Sequence, residues 1–293
     1  MGKEIRCIIC DCNRFKRIFS KDGRDFFRCS QCGLITINPI PEMNAIQRIY
    51  DREYFKSWGM ESGDSEVVKR MKSKTFNHLL GVIEKDIKPG CLLDVGCAAG
   101  HLMETAVSRG WEPYGVEILE YAATLARKKF GNHIYQGAFE NVSLPENFFD
   151  LIIMSDLIEH LTDPASAILK VRKILKKQGI LVIITPDASS LSAFLLKSTW
   201  PHFKPKEHLF YFNRSNISML LRKENFFAYK IGAYPKYLNI AYIHTQLTVY
   251  PHKLFTPLIK IMARVLPERI CVLDFPIFEG DMCVLSRQIP WRK

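Results

Sequence analysis

The chain is predicted to adopt an α/β fold built on a mainly parallel sheet, with a small metal-binding ribbon in front of it. Three observations carry this. Strand and helix patterns alternate from residue 91 onward. The stretch Leu92-Leu93-Asp94-Val95-Gly96-Cys97-Ala98-Ala99-Gly100 reads as a buried strand and a glycine-punctuated turn, with a helix starting at His101. Two C-x-x-C pairs, Cys7/Cys10 and Cys29/Cys32, stand about 18 residues apart, the spacing of a four-thiolate zinc site.

In chain order, residues 1–40 form the ribbon. Phe15, Ile18, Phe19, Phe26 and Phe27 alternate with polar residues as short strands would, and Gly33 follows the second cysteine pair where a tight knuckle needs a permissive backbone. Cys12 is a spare thiol that stands as an alternative to Cys10. Four thiolates leave no open position, so the zinc is expected to be structural. Asn38-Pro39-Ile40-Pro41 ends the module. Residues 41–87 read as a helical linker or lid, with a short helix from Glu42 to Tyr50, then Glu53-Tyr54-Phe55, a polar loop from Gly59 to Ser65, and a helix over 66–86.

The main domain is expected over 88–293. Strands are predicted near 91–95, 112–116, 133–136, 149–154 and 180–184, and helices near 101–109, 119–129 and 164–177. Gly110, Gly131 and Gly179 are placed just past the helix ends. A helix over 213–224, a strand near 227–231 and a last strand near 280–286 complete the pattern. Two insertions, near 187–206 and 233–270, exceed it and are candidates to cover a substrate site or make a dimer. The second carries an amphipathic pattern from Thr256, with Lys253, Lys260 and Arg264 beside it. It is expected to pack on the core rather than lie on a membrane surface.

Composition narrows the function. Hydrophobic residues make up 47% of the chain, ample for a core, yet no run reaches the ~20 apolar residues of a membrane span. The first residues lack the apolar stretch of a secretory signal, so a cytoplasmic protein is expected, and nine cysteines then favour metal over disulfides. The net charge of +11 is uneven, with about +12 in residues 161–293. A solvated basic surface accounts for this, as would an acidic or carrier-linked partner.

Gly96 and Gly100 let a ligand approach the backbone, and the helix start favours an anionic group there. The spacing is not that of a phosphate-binding loop. Glu117 ends the next strand at about the distance expected of an acid that accepts two ribose hydroxyls. Acid, glycine, small residue, glycine after a strand resembles motif I of class I S-adenosylmethionine (SAM) methyltransferases. Asp156-Leu157-Ile158-Glu159-His160-Leu161-Thr162-Asp163-Pro164 is similar to the family stretch E-x-x-E-H-x-x-D-P, with Asp156 for the first Glu. Pro205 to Phe212 resembles its P-x-x-H-L-x-x-F segment. With the cysteine pairs, Tyr50 to Phe55 and Thr185-Pro186, the chain resembles bacterial members that carry a four-cysteine ribbon and are often associated with surface-polysaccharide or secondary-metabolite assembly. The resemblance implies a Rossmann-like sheet of seven strands. It also implies a SAM site made of Asp94, Gly96, Cys97, Ala98, Gly100, Glu117, Ile118, Phe139 and Ser155. One departure is Gly137-Ala138, where the family often has Gly-Asp; Phe139 is then the residue expected against the adenine.

Methyl transfer from a sulfonium leaves a neutral group, so the protein must mainly align the acceptor and take its proton. His208 and His160, with Glu159, are the catalytic candidates, and His208 is the preferred base. The leading expectation is O-methylation of a sugar or another small hydroxylated metabolite. Alternatives are a metal-assisted RNA 2′-O-methyltransferase, with Asp156, Glu159, His160 and His208 as ligands, and a non-enzymatic adaptor. No RNA-binding motif stands out, and the intact turn with Glu117 argues against the adaptor.

Overall fold

The computed structural model describes residues 6–41, 66–249 and 251–290. The expected elements over Glu42–Tyr50, Glu53–Phe55 and Gly59–Ser65 lie outside the described residues.

The seven-stranded sheet is present. In chain order its strands are β4 (Cys91–Val95), β5 (Glu112–Glu117), β6 (Ile134–Gln136), β7 (Phe149–Ser155), β8 (Leu175–Pro186), β10 (Phe226–Leu238) and β11 (Phe275–Gln288). They lie in the order β10-β11-β8-β7-β4-β5-β6. The five strands from β4 to β8 are parallel, and β11 runs antiparallel between β8 and β10. The chain steps outward from β4 through β5 to β6, then returns to β7 on the other side, so the switch point lies between β4 and β7. Ligands of such sheets bind there, beyond the carboxyl ends of the strands.

Period-two alternation divides the core. Leu92, Leu151, Ile153, Val182 and Ile184 face one way and pack with α1 (Glu66–Ile83), α2 (His101–Ser108) and Trp111. Leu93, Val95, Ile152, Met154 and Ile183 face the other way, toward α4 (Pro164–Ile174) and α6 (Arg214–Lys223). On the outer flank α3 (Glu120–Phe130) packs Ala123 and Ala126 against Cys97 and Met103.

Several boundaries shift for local reasons. The helix expected to reach residue 177 ends at Ile174, and β8 begins at once, so Gly179 sits inside a strand rather than past a helix end. A Cβ there would lie 2.7 Å from the Leu175 side chain and 3.0 Å from the Asp150 carbonyl, so close packing requires the glycine. Gly110 and Gly131 do follow their helices, both with positive φ. Residues 233–238, expected in an insertion, extend β10, and the excursion proper spans residues 239–274. It holds α7 (Ile240–Val249), α8 (Phe255–Val265) and α9 (Glu268–Cys271). No residue of α8 is fully buried; Ile259 and Met262 are half-buried, and the helix packs on α7 instead of the expected sheet core. The first insertion forms α5 (Leu191–Leu196) and a short turn after it.

The ribbon is a meander of β1 (Phe15–Lys21), β2 (Arg24–Cys29) and β3 (Ile35–Asn38). Its fourth strand comes from far along the chain: β9 (Phe210–Tyr211) pairs antiparallel with β3, Ile35 opposite Tyr211 and Thr36 opposite Phe210. Phe26, Leu34, Ile35 and Ile37 belong to the same buried cluster as α4 and α6. Phe26 stacks on Phe19 at 4.4 Å and meets Phe203 edge-on at 5.2 Å, and Phe203 in turn meets Tyr211 at 5.0 Å. Ribbon residues from Cys7 to Ile37 therefore share a buried cluster with the main domain.

Candidate active site

At the head of β4, three backbone positions turn left-handed: Gly96 at φ 81°, Ala98 at 47° and Gly100 at 84°. A glycine meets this at little cost. Among the described residues, a Cβ on Gly96 would meet only the Leu157 side chain, at 3.5 Å, an ordinary contact that leaves room beside the turn. A Cβ on Gly100 would strike the Phe130 ring at 2.7 Å, so Gly100 is needed for packing under the start of α2. Cys97 points the other way, buried beside Met103, and can offer a ligand only its backbone.

Glu117 pins this turn. One carboxylate oxygen accepts the Ala98 N–H and the other the Leu119 N–H, both at 2.9 Å. Each oxygen retains a second lone pair, so the group can still accept hydroxyls. Asp94 is buried next to it. Burial, with the nearby Glu117 charge, pushes Asp94 up to about 8; burial also raises Glu117, against the pull of its backbone donors. Ile118 is partly exposed beside the turn, and Phe139 is buried. The Lys170 ammonium lies 4.9 Å from the Phe139 ring centroid and caps the Phe139 and Val142 carbonyls. Ser155, at the end of β7, donates to Asp156 at 3.4 Å.

Glu159 and His160 lie on a 3-10 turn over Ile158–His160, beyond the end of β7. Glu159 is 1% exposed. Thr185 donates to one of its oxygens at 2.9 Å, and the other has no hydrogen-bond partner among the described residues. Burial, with the Asp156 charge behind it, raises Glu159 to about 8, so it is protonated at neutral pH. His160 Nδ1 lies 2.9 Å from the Glu207 carbonyl. A carbonyl only accepts, so Nδ1 carries the proton and Nε2 the lone pair, 3.9 Å from Glu159. Burial lowers His160 to about 4.

His208 completes the group. Its ring stands edge-on to His160 with centroids 4.7 Å apart, and burial and the neighbouring His160 hold it well below the ordinary imidazole range. Its Nδ1 is buried without a hydrogen-bond partner among the described residues. Ligand atoms of Glu159, His160 and His208 lie within 4.8 Å of one another, a group that could hold a metal. Asp156 does not join them. Its backbone sits at φ 51°, and its carboxylate accepts from Lys236 at 3.1 Å. The four-ligand arrangement of the metal-assisted alternative is thus reduced to three, because the half-buried Lys236 takes the fourth carboxylate.

Lys236 was not legible in the sequence. It stands on β10 with its ammonium between Asp156 and the fully buried Asp281, 3.0 Å from the latter. His202 lies 3.8 Å from Asp281 on the other side. The attraction of these carboxylates outweighs burial and holds Lys236 well above the ordinary lysine range. Burial lowers His202.

In the ribbon, Cys7 Sγ lies 3.4 Å from Cys32 Sγ and Cys10 Sγ 3.6 Å from Cys29 Sγ, and all four sulfurs fall within 4.8 Å. A tetrahedron with metal–sulfur bonds of ~2.3 Å has edges of about 3.8 Å, so the four sulfurs fit one ion. Cys12 is outside the group; its sulfur accepts the Arg14 N–H at 3.3 Å. Its candidacy in place of Cys10 is therefore set aside.

A family model described as a methyltransferase domain matches residues 65–229. The ubiquinone biosynthesis O-methyltransferase of Hydrogenovibrio crunogenus is 26% identical over 130 residues, 42% of this chain and 53% of that protein. The enzyme of the same name from Histophilus somni is 28% identical over 144 residues, 44% of this chain and 58% of that protein. The chain thus spans little more than half the length of these curated relatives. A SAM-dependent methyltransferase structure from Archaeoglobus fulgidus matches with a TM-score of 0.52 at 18% identity, over 81% of this chain and all of that one. Magnesium protoporphyrin IX methyltransferase from Synechocystis matches at 0.54 and 14% identity, over 84% of this chain and all of that one. At these identities the structures speak for the fold alone.

Proposed function

The chain belongs to the methyltransferase-domain family as a class I SAM-dependent methyltransferase, and on that premise we propose that it methylates a hydroxyl of a sugar or another small hydroxylated acceptor. The observation that carries this reading is the position of the unpartnered His208 Nδ1. It sits with Glu159 and His160 past the same strand ends that carry the glycine turn and Glu117. That the ubiquinone-biosynthesis relatives are named O-methyltransferases supports oxygen as the atom methylated.

The Gly96–Gly100 turn fits the amino-acid end of SAM, with the carboxylate toward the first turn of α2. Glu117 would accept the ribose hydroxyls while keeping its hold on Ala98. When bound, SAM supplies an electrophilic methyl group and leaves a neutral thioether. His208 takes the acceptor proton at Nδ1, which a neutral imidazole can do. Glu159 in its protonated form donates a hydrogen bond, and Asp156 with Lys236 offers an acceptor and a donor to neighbouring hydroxyls. The four cysteines would hold a structural zinc that fixes the ribbon strands. A second reading, a divalent metal on Glu159, His160 and His208, is favoured by their convergence and opposed by the pairing of Asp156 with Lys236, which withholds a fourth ligand.

The test is transfer of a labelled methyl group from SAM to a panel of free sugars, nucleotide-linked sugars and small phenols. A labelled ether is the expected product. Label appearing only on amines or on RNA would overturn the reading.

A further inference from the structure

The excursion over residues 239–274 sits at a particular end of the molecule. Strand β11 is antiparallel to β8, and Asp281 pairs with Pro186, the last residue of β8. The β10–β11 pair continues past that point to Leu238 opposite Phe275. Six further residues of strand make an arm of about 20 Å. The arm therefore projects from the carboxyl end of the sheet, the end that holds Glu159, His160 and His208, and carries α7, α8 and α9 at its tip.

The arm's tip is built unlike a core element. Leu254, Leu258, Ile261 and Val265 recur at i, i+4, i+7 and i+11, one seam on a helix, and they are 53–74% exposed. Lys253, Lys260 and Arg264 recur at i, i+7 and i+11, a single basic ridge along one edge of that seam, and all three are exposed. A second exposed apolar group adjoins it: Phe194 and Leu195 on α5 are 73% and 65% exposed. The two are tied where His252, just before α8, contacts the Thr199 carbonyl at 2.9 Å through Nε2.

We propose that this face binds the surface of an anionic lipid bilayer, with α8 lying in the interface. An apolar seam bordered by a row of Lys and Arg is the pattern of an interfacial helix: the aliphatic side chains enter the acyl boundary and the cations meet lipid phosphates. The excess of about +12 in residues 161–293 adds long-range attraction to such a surface. No helix among the described residues is long and apolar enough to cross a membrane, so the attachment is peripheral. It presents the acceptor side of the sheet to the bilayer, where a substrate carried on a lipid is held. The binding does not depend on which atom is methylated.

The experiment is co-sedimentation of the full chain with vesicles of phosphatidylcholine alone and of phosphatidylcholine mixed with phosphatidylglycerol. The protein is expected to bind the mixed vesicles, to bind pure phosphatidylcholine more weakly, and to be released by salt. Leu258→Asp with Ile261→Asp should lower partitioning by about tenfold or more, with SAM affinity and thermal midpoint little changed because both side chains are mostly exposed. Lys253→Glu with Lys260→Glu should remove the preference for anionic vesicles while keeping the residual binding. Equal sedimentation of wild type and both variants, or no binding to either vesicle, would overturn the proposal. So would a wild-type dimer that Leu258→Asp with Ile261→Asp converts to a monomer, because a second copy would then own this face.

Discussion

The Thr36 hydroxyl donates to the Leu209 carbonyl at 3.0 Å across a separation of 173 residues. The Leu209 N–H in turn donates to the Glu159 carbonyl at 2.9 Å. One residue beside His208 is therefore held on one side by the ribbon and on the other by the turn that carries Glu159 and His160. Asn216 adds a bond from α6 to the Cys32 carbonyl at 3.4 Å. The ribbon sets the position of the His208 segment, and this is its physical link to the site.

Removing the metal should therefore be felt at the site. Cys29→Ser with Cys32→Ser is expected to abolish bound zinc, measured on the purified protein by elemental analysis. Amide exchange over residues 207–212 should speed up, because their partner strand β3 loses its anchor. SAM affinity should hold, since the Gly96–Gly100 turn rests on β4 and β5. Wild type purified without zinc, or unchanged exchange at 207–212 in the variant, would contradict this coupling.

The cofactor turn makes its own prediction. Glu117→Ala leaves the Ala98 and Leu119 amides without their acceptor and removes the acceptor for ribose. It should weaken SAM binding by roughly 1.5–3 kcal/mol, the range for hydrogen bonds to a charged group. Gly96→Val adds a branched side chain at φ 81°, a region such residues rarely adopt, and fills the open side toward Leu157. It should reduce binding at least as much. Titration calorimetry with both variants decides it; unchanged affinity in both would refute the assignment.

Buried ionisable groups give a pH signature. Folding raises Glu159 from an ordinary 4.5 to about 8 and Asp94 from 3.8 to about 8. For each, the stability present at low pH is lost as pH climbs toward 8, because the unfolded carboxyl gives up its proton first. His160 is lowered from 6.5 to about 4, so its contribution rises between those values and is constant above 6.5. Between pH 6.5 and 8 the carboxylates act alone among these groups. The thermal midpoint should fall over that interval by the equivalent of about 1–2 kcal/mol per group. Glu159→Gln should flatten part of the fall without loss at pH 6.5. Identical slopes for wild type and variant would count against a protonated Glu159.

How much of this was legible in the sequence follows from what kind of signal each part carries. The parallel strands, the glycine turn, Glu117 and the cysteine pairs are local patterns, and local patterns survive without knowledge of the fold. The pairing of β3 with β9 left no such mark, because two-residue Phe210–Tyr211 has no period to read. The Lys236–Asp281 pair was invisible for a related reason: the residues lie 45 apart on strands that only the antiparallel register of β10 and β11 brings together. The metal-assisted alternative counted Asp156 as a ligand, and its i, i+3, i+4 spacing with Glu159 and His160 puts the three on one face only if the turn is helical. The left-handed φ at Asp156 breaks that geometry, and Lys236 claims the carboxylate. In α8 the apolar face expected from the sequence divides, with Ile259, Met262 and Leu266 half-buried and Leu258 and Val265 exposed, because period alone does not say which side of a helix meets a neighbour and which meets solvent.

The last prediction separates the two ways of activating an acceptor hydroxyl. In one, His208 Nδ1 accepts the proton directly. In the other, Glu159, His160 and His208 hold a divalent cation that lowers the pKa of the hydroxyl. One observation supports the first: the fourth carboxylate, Asp156, is paired with Lys236, which leaves three groups for a cation. Once an acceptor is identified, His208→Ala should lower kcat by about 10²–10⁴, the usual worth of a general base, with SAM affinity unchanged. Activity should persist in EDTA at concentrations that leave the ribbon zinc in place. Inactivation by EDTA that Mg²⁺ or Mn²⁺ reverses, with zinc still bound, would transfer the role to a metal. Full activity in His208→Ala would remove this residue as the base and leave the lone pair on His160 Nε2 as the acceptor to test.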